Sequence, residues 1–188
     1  MKLDIGCSHY KKPGFIGVDI LPGKDVDIVC SVENLIFAFP PGSVDEVYSR
    51  YMLEHVDGYF RALSEIYRVC KPGAKVTFIL PHFSNHDYHG DPTHKRAFSL
   101  SSFNFIDSTR ANGCDREYLT GVDFRIMSVK FSWWGDHFRC KKGWKRIVVG
   151  TLNSTINWLA NLNPFLCERI WCHWVGGFYS VEFNLERK

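Results

Sequence analysis

Half of the eight histidines in this 188-residue chain fall in one stretch: His82, His86, His89 and His94, interleaved with Asp87 and Asp91. Imidazole changes charge near neutrality, so such a cluster suits a general base beside polar groups that grip a ligand. Imidazole and carboxylate together also suit zinc, iron or manganese. The spacings of 4, 3 and 5, interrupted by Gly90 and Pro92, match no compact ligand pattern, and no metal set is assigned. A hydrogen-bonded lid that caps the next helix is the third reading. The candidates for proton transfer are His82 and His86. His55 follows Glu54 and reads first as a capping or orienting residue.

A second constellation is Gly6 with Asp19. Glycine lets backbone come close to a ligand, and an acid ending the next strand can hold ribose hydroxyls. A dinucleotide site also needs GxGxxG opening a helix, with its acid about 20 residues on. Here Gly6-Cys7-Ser8-His9-Tyr10-Lys11 has one glycine and no helix-length segment behind it, and Asp19 arrives 13 residues after Gly6. NAD is therefore disfavoured. A nucleoside ligand without phosphates, such as S-adenosylmethionine, asks for less.

Short β-branched runs bounded by breakers must position these groups. They are Leu3–Ile5, Phe15–Ile20, Val26–Cys30, Val44–Tyr48 and Ala74–Leu80. Between the last two, Phe60, Leu63, Ile66, Tyr67 and Cys70 share one face at helical spacing. Asp57 is the expected N-cap and Pro72-Gly73 the stop. Strand, helix, strand predicts a parallel α/β sheet with ligand at the carboxyl ends of the strands. Phe124–Trp133 and Tyr179–Leu185 alternate as late strands. Between them Ile156–Leu162 is helical in period, and Pro164 opens a second piece through Trp171.

Composition sets the bounds. The length fits one domain able to bury roughly 70% of its unfolded surface. A formal net charge of +3 is too small to imply nucleic acid. Seven dispersed cysteines without a CxxC pair read as reduced thiols in a cytosol, and an acid at Asp4 argues against a signal peptide. A cytoplasmic location follows as an expectation. No window reaches 18 uncharged apolar residues, as a membrane span requires. Five bases between Arg139 and Arg146, with Trp144 among them, read as a solvated loop; attraction to an anionic acceptor, a phospholipid surface or RNA is the functional alternative.

The ordered set Leu3-Asp4-Ile5-Gly6-Cys7, Gly17-Val18-Asp19, Ser43–Tyr48, Met52-Leu53-Glu54-His55-Val56 and Glu65–Gly73 resembles class I S-adenosylmethionine-dependent methyltransferases. The likeness covers about residues 1–105. It is nearest to the compact type 11-like branch, where a short proline/glycine loop replaces the first helix. The resemblance implies a Rossmann-like methyltransferase fold: a mostly parallel twisted sheet, an antiparallel edge hairpin and a shortened first βα unit. It implies that Asp4, Gly6, Cys7 and Ser8 line the methionine part of the cofactor and that Asp19 and Ile20 hold the ribose. Ser31 and Val32 would flank adenine, and Tyr51 to His55 would lie near the methyl donor. Ser31 stands where such families commonly carry an acid, and Ser8-His9-Tyr10 where further glycines are usual.

The expectation is one domain over residues 1–188, with the cofactor core in 1–105 and an acceptor-side and edge-strand region in 106–188. Its function would be methyl transfer from S-adenosylmethionine to a small-molecule or glycan-like acceptor. Two rivals remain at this level: a methyltransferase-fold module without cofactor, and a metal-binding protein or hydrolase using the His82–His94 loop. Trp158, Leu162, Phe165, Leu166, Ile170, Trp171 and Trp174 read first as core packing against the sheet. A homodimer contact, an acceptor tunnel or contact with a membrane surface are the alternatives.

Overall fold

The computed structural model describes residues 1–110, 121–134 and 144–188. Its strands are β1 (Lys2–Ile5), β2 (Ile16–Asp19), β3 (Ile28–Val29), β4 (Val44–Arg50), β5 (Cys70–Pro81), β6 (Phe124–Ser132) and β7 (Ser180–Arg187). Its α-helices are α1 (Tyr59–Val69), α2 (His86–Gly90), α3 (Trp144–Leu162) and α4 (Pro164–Trp174). The strands form one sheet in the order β3-β2-β1-β4-β5-β7-β6. β1 to β5 are parallel to one another, and β7 is antiparallel to both β5 and β6. The parallel strands were legible as short apolar runs between breakers, in which Leu3, Ile5, Val18, Val47, Val76 and Phe78 are buried.

Residues 6–15 form turns without a helix, so the first βα unit is shortened as expected. Gly17 is required here: a Cβ would lie 2.3 Å from the Asp25 carbonyl oxygen. Its N–H donates to Asp27 at 2.7 Å, which pins the β2–β3 loop to the strand.

α1 buries Ala62, Leu63, Ile66 and Val69 on one face. Two boundary expectations are corrected. The N-cap is Gly58, not Asp57: the Gly58 N–H donates to Glu33 Oε1 at 2.6 Å, while Asp57 pairs with Lys95 at 2.5 Å. A carboxylate from another segment therefore anchors the residue that opens the helix. Cys70, expected on the helix, begins β5, and Pro72-Gly73 lie in a register irregularity against Val44–Glu46. Over β5 and β7 the core is aromatic: Phe103 stacks on Phe78 at 5.4 Å and meets Phe183 at 4.7 Å.

The second half departs most from expectation. Trp158, Leu162, Phe165, Leu166, Ile170 and Trp174 are exposed, and among the described residues of α3 and α4 only Ala160 is buried. Ile156, Ala160 and Trp171 do pack against the core, and polar groups add to the hold of α3 on the sheet. Asn161 accepts the Phe131 N–H at 2.8 Å and donates to the Phe131 carbonyl at 3.0 Å, while Asn157 accepts the Trp133 N–H at 2.7 Å. Two amides one turn apart thus satisfy the open edge of β6, which would otherwise invite another strand. Pro164 does open α4, with Asn163 accepting the Leu166 N–H. Among the described residues no helix is long and apolar enough to cross a membrane. Most of the Arg139–Arg146 run lies outside the described residues.

Candidate cofactor and acceptor site

Strand order reverses between β1 and β4: the chain winds outward through β2 and β3 on one side and through β5 on the other. The loops leaving β1 and β4 therefore part, and a crevice opens at the carboxyl ends of the strands, where ligands of such sheets bind. Both loops are strained. Ser8 (φ 46) and Tyr51 (φ 51) are the two non-glycine residues with positive φ among the described residues, and Gly6 (φ 78) joins them. A bulky residue in the left-handed region persists only where its surroundings hold it, and such strain gathers at functional sites. The two loops also touch, since a Cβ on Gly6 would fall 2.6 Å from Met52 Cβ.

Asp19 organises the β1 side. Its Oδ2 accepts the Ser8 N–H at 2.9 Å and its Oδ1 accepts the Leu21 N–H at 3.1 Å. A carboxylate offers about four acceptor sites, so each oxygen keeps a lone pair for a ligand hydroxyl. Ile20 beside it is exposed. Asp4 and Cys7 are buried and shape the loop from within. Asp4 accepts the Lys12 N–H at 2.7 Å, and burial holds its carboxyl above the usual range. Burial, then Asp4 and Asp19, push the Cys7 thiol up to about 11, which leaves it inert as a nucleophile. Ser31 caps the 3-10 turn Val32–Phe37 by accepting the Glu33 N–H, and Val32 is buried.

On the β4 side lies a cavity of about 490 Å³, within the range of small-molecule sites. Tyr51, Glu54 and His55 supply one wall, Asn85 and Tyr179 another, and Asp91 with His94 a third. The Tyr51 ring stands edge-on to Tyr179 at 5.9 Å, and burial pushes its phenol up to about 12. Glu54 is fully buried, and neither of its carboxylate oxygens has a hydrogen-bond partner among the described residues. Burial pushes it up to about 8; its own backbone N–H offsets this slightly and Asp91 adds to it. The Glu54, His55 and His94 ligand atoms lie within 4.8 Å of one another.

The expected catalytic histidines stand elsewhere. His82 is fully buried, with Nδ1 on Ser84 Oγ at 2.6 Å and Nε2 on Glu168 at 3.0 Å. Its ring packs against Phe83 and Phe131, so β5 turns it toward α4 and away from the cavity walls. His86 is exposed at the start of α2, and the neighbour that lines the cavity is Asn85. Asn85 and Tyr179 were not expected along this cavity; Glu54 falls inside the Tyr51–His55 segment expected near the methyl donor, but without a role of its own. The available signal for Glu54 was its position between Leu53 and Val56, an acid flanked by apolar residues in a turn.

Residues 10–78 match the family model for a type 11 methyltransferase domain. No curated protein sequence matches the chain. Among solved structures, an S-adenosylmethionine-dependent methyltransferase from Archaeoglobus fulgidus is 21% identical with a TM-score of 0.59, covering 99% of this chain and 85% of that one. One from Thermotoga maritima is 15% identical with a TM-score of 0.56, covering 100% and 82%. The cyclase SpnF is 16% identical with a TM-score of 0.54, covering 99% and 74%. The resemblance to class I S-adenosylmethionine-dependent methyltransferases of the type 11 branch is shown, and the fold is the Rossmann-like methyltransferase fold.

Proposed function

We propose that this chain is an S-adenosylmethionine-dependent methyltransferase whose acceptor is a small molecule or a single sugar-like unit. One observation carries the reading. The strained loops of Gly6–Ser8 and Tyr51–His55 flank the switch point of the sheet, with the Asp19 carboxylate on one side and a polar cavity on the other. The lone pairs left on Asp19 suit the two ribose hydroxyls of an adenosyl group, Ile20 offers apolar surface beside them, and Ser31 lies at the end of β3 for the base. When bound, the cofactor supplies an electrophilic methyl carried by a sulfonium.

The side chains have three tasks. The β1 loop holds the nucleoside, and the Tyr51–Tyr179 pair with Asn85 bounds the acceptor. The cavity walls keep bulk water from competing for the methyl and receive the proton that an oxygen or nitrogen acceptor sheds. The cavity volume of about 490 Å³ favours a small acceptor over a folded macromolecule. SpnF shows that a chain of this fold can carry a different activity, so binding and turnover are measured separately.

Titration calorimetry with S-adenosylmethionine and S-adenosylhomocysteine should give heat saturating near one equivalent. Asp19→Ala should weaken both by about 10–100-fold, the loss of hydrogen bonds to a charged group. Silence with both ligands would overturn the proposal in favour of a fold without cofactor.

A further inference from the structure

We propose that Glu54, His55 and His94 form a binding site for one divalent transition-metal ion, with its remaining coordination positions open to the acceptor cavity. A fully buried carboxylate without a hydrogen-bond donor is strongly unfavourable unless it is protonated or paired with a cation. Both oxygens of Glu54 are in that position among the described residues, and both imidazoles beside it are half-buried.

The tautomers of those imidazoles are set by hydrogen bonds on the far side of each ring. His94 Nδ1 meets the Tyr88 carbonyl at 3.0 Å, which can only accept, so Nδ1 carries the proton and Nε2 the lone pair. Thr93 donates its hydroxyl to Asp91 Oδ1 at 2.6 Å. Its oxygen is then left to accept from His55 Nδ1 at 2.9 Å, which frees the Nε2 lone pair of His55 as well. A proton donated outward to a carbonyl, or to a hydroxyl backed by a carboxylate, is what orients metal-ligating histidines. The Asp91–Thr93–His55 relay does this here, and the second oxygen of Asp91 lies 3.7 Å from His94 Nε2, adding negative charge.

The backbone holds the two halves of the site together. The Lys95 N–H donates to the Glu54 carbonyl at 2.8 Å, and Arg96 donates to the carbonyls of Leu53, at 3.0 Å, and Val56. Residues 94–96 are thereby stapled onto the turn that carries Glu54 and His55. A metal with bonds of about 2.1 Å needs ligand separations of about 3.0–3.5 Å. The present separations, up to 4.8 Å, close by side-chain rotation of about 1 Å. Two imidazoles and one carboxylate are the donor set of open zinc and non-haem iron or manganese sites. The inference deepens the methyltransferase reading, because such an ion would take an oxygen donor of the acceptor and hold it in the cavity.

Metal binding is tested without cofactor. Mn2+, which competes poorly for the free thiols, is titrated into the full chain and followed by calorimetry and by the loss of its free-ion electron paramagnetic resonance signal. About one equivalent should bind. Glu54→Gln and His94→Ala should each weaken binding by at least about 30-fold, beyond the middle of the range for losing an outer-shell partner. His89→Ala, at an exposed site, should leave it unchanged. Glu54→Gln nearly preserves shape, and its melting temperature without metal should stay within about 3 °C of the parent, so lost binding is not lost folding. Absence of binding by both Mn2+ and Zn2+, or binding that survives Glu54→Gln and His94→Ala, overturns the site. Silence toward S-adenosylmethionine with Mn2+ bound would instead sink the methyltransferase reading and leave the metal site standing.

Discussion

Two histidine–glutamate groups lie in the same molecule, and they have opposite fates. His82 meets Glu168 at 3.0 Å, and the same carboxylate oxygen accepts the Leu100 N–H at 2.8 Å. Burial pushes the Glu168 carboxyl up, yet the bonds from His82 and Leu100 outweigh it and leave it below the usual range. Glu54 is more deeply buried, has no partner among the described residues and is pushed up to about 8. The first group joins α4 to β5 and to the segment after α2. The second has its acceptor oxygens still open and lines a cavity. Residue type therefore does not separate structural from functional histidine; the satisfaction of the neighbouring carboxylate does.

The strongest way to break this contrast is to remove the satisfied carboxylate. Glu168→Ala leaves His82 Nε2 and the Leu100 N–H without their acceptor, and should cost about 2–4 kcal/mol. That is a fall of about 5–10 °C in melting temperature for a chain of this size. A melt within 2 °C of the parent would place the His82–Glu168 contact outside the fold's support.

His82→Ala sharpens the contrast from the other partner. It removes a ring packed at 4.3 Å from Phe83 and 5.1 Å from Phe131, and should cost about 2–3 kcal/mol by the usual loss on truncating a buried ring. Affinity for S-adenosylhomocysteine should stay within about threefold. Lost affinity at unchanged melting temperature would return His82 to the reacting groups.

The smallest effect is on pH dependence. Glu168 has a folded pKa below its ordinary 4.5, so its contribution is complete above that value and is lost as pH falls through the folded pKa. The stability difference between the parent and Glu168→Gln should narrow below about pH 4.5, as followed by urea denaturation from pH 7 to 3. A difference that widens in acid would reverse the assigned shift.

What the sequence made legible follows the range of the forces involved. β1, β2, β4 and β5 could be read from β-branched runs, and Gly6 with Asp19 from local spacing, because both are short-range patterns. The start of α1 could not, since the contact that anchors Gly58 comes from Glu33, 25 residues away. The apolar residues of α3 and α4 suggested core, but Asn157 and Asn161 seat the helix through amides on the β6 edge and leave Trp158 and Trp174 exposed. Periodicity reports which face is apolar, not whether anything covers it. That His94 rather than His82 lines the cavity was hidden for the same reason. Which neighbour meets an imidazole depends on Glu168, 86 residues from His82, and on a turn that brings residue 94 onto Glu54.

A crystal structure grown with S-adenosylhomocysteine tests the central claim most directly. The ribose hydroxyls should lie within hydrogen-bonding distance of Asp19, with the sulfur facing the cavity bounded by Tyr51 and Asn85. Product bound at another place, with the Asp19 carboxylate still engaged by the Ser8 and Leu21 amides alone, would contradict it.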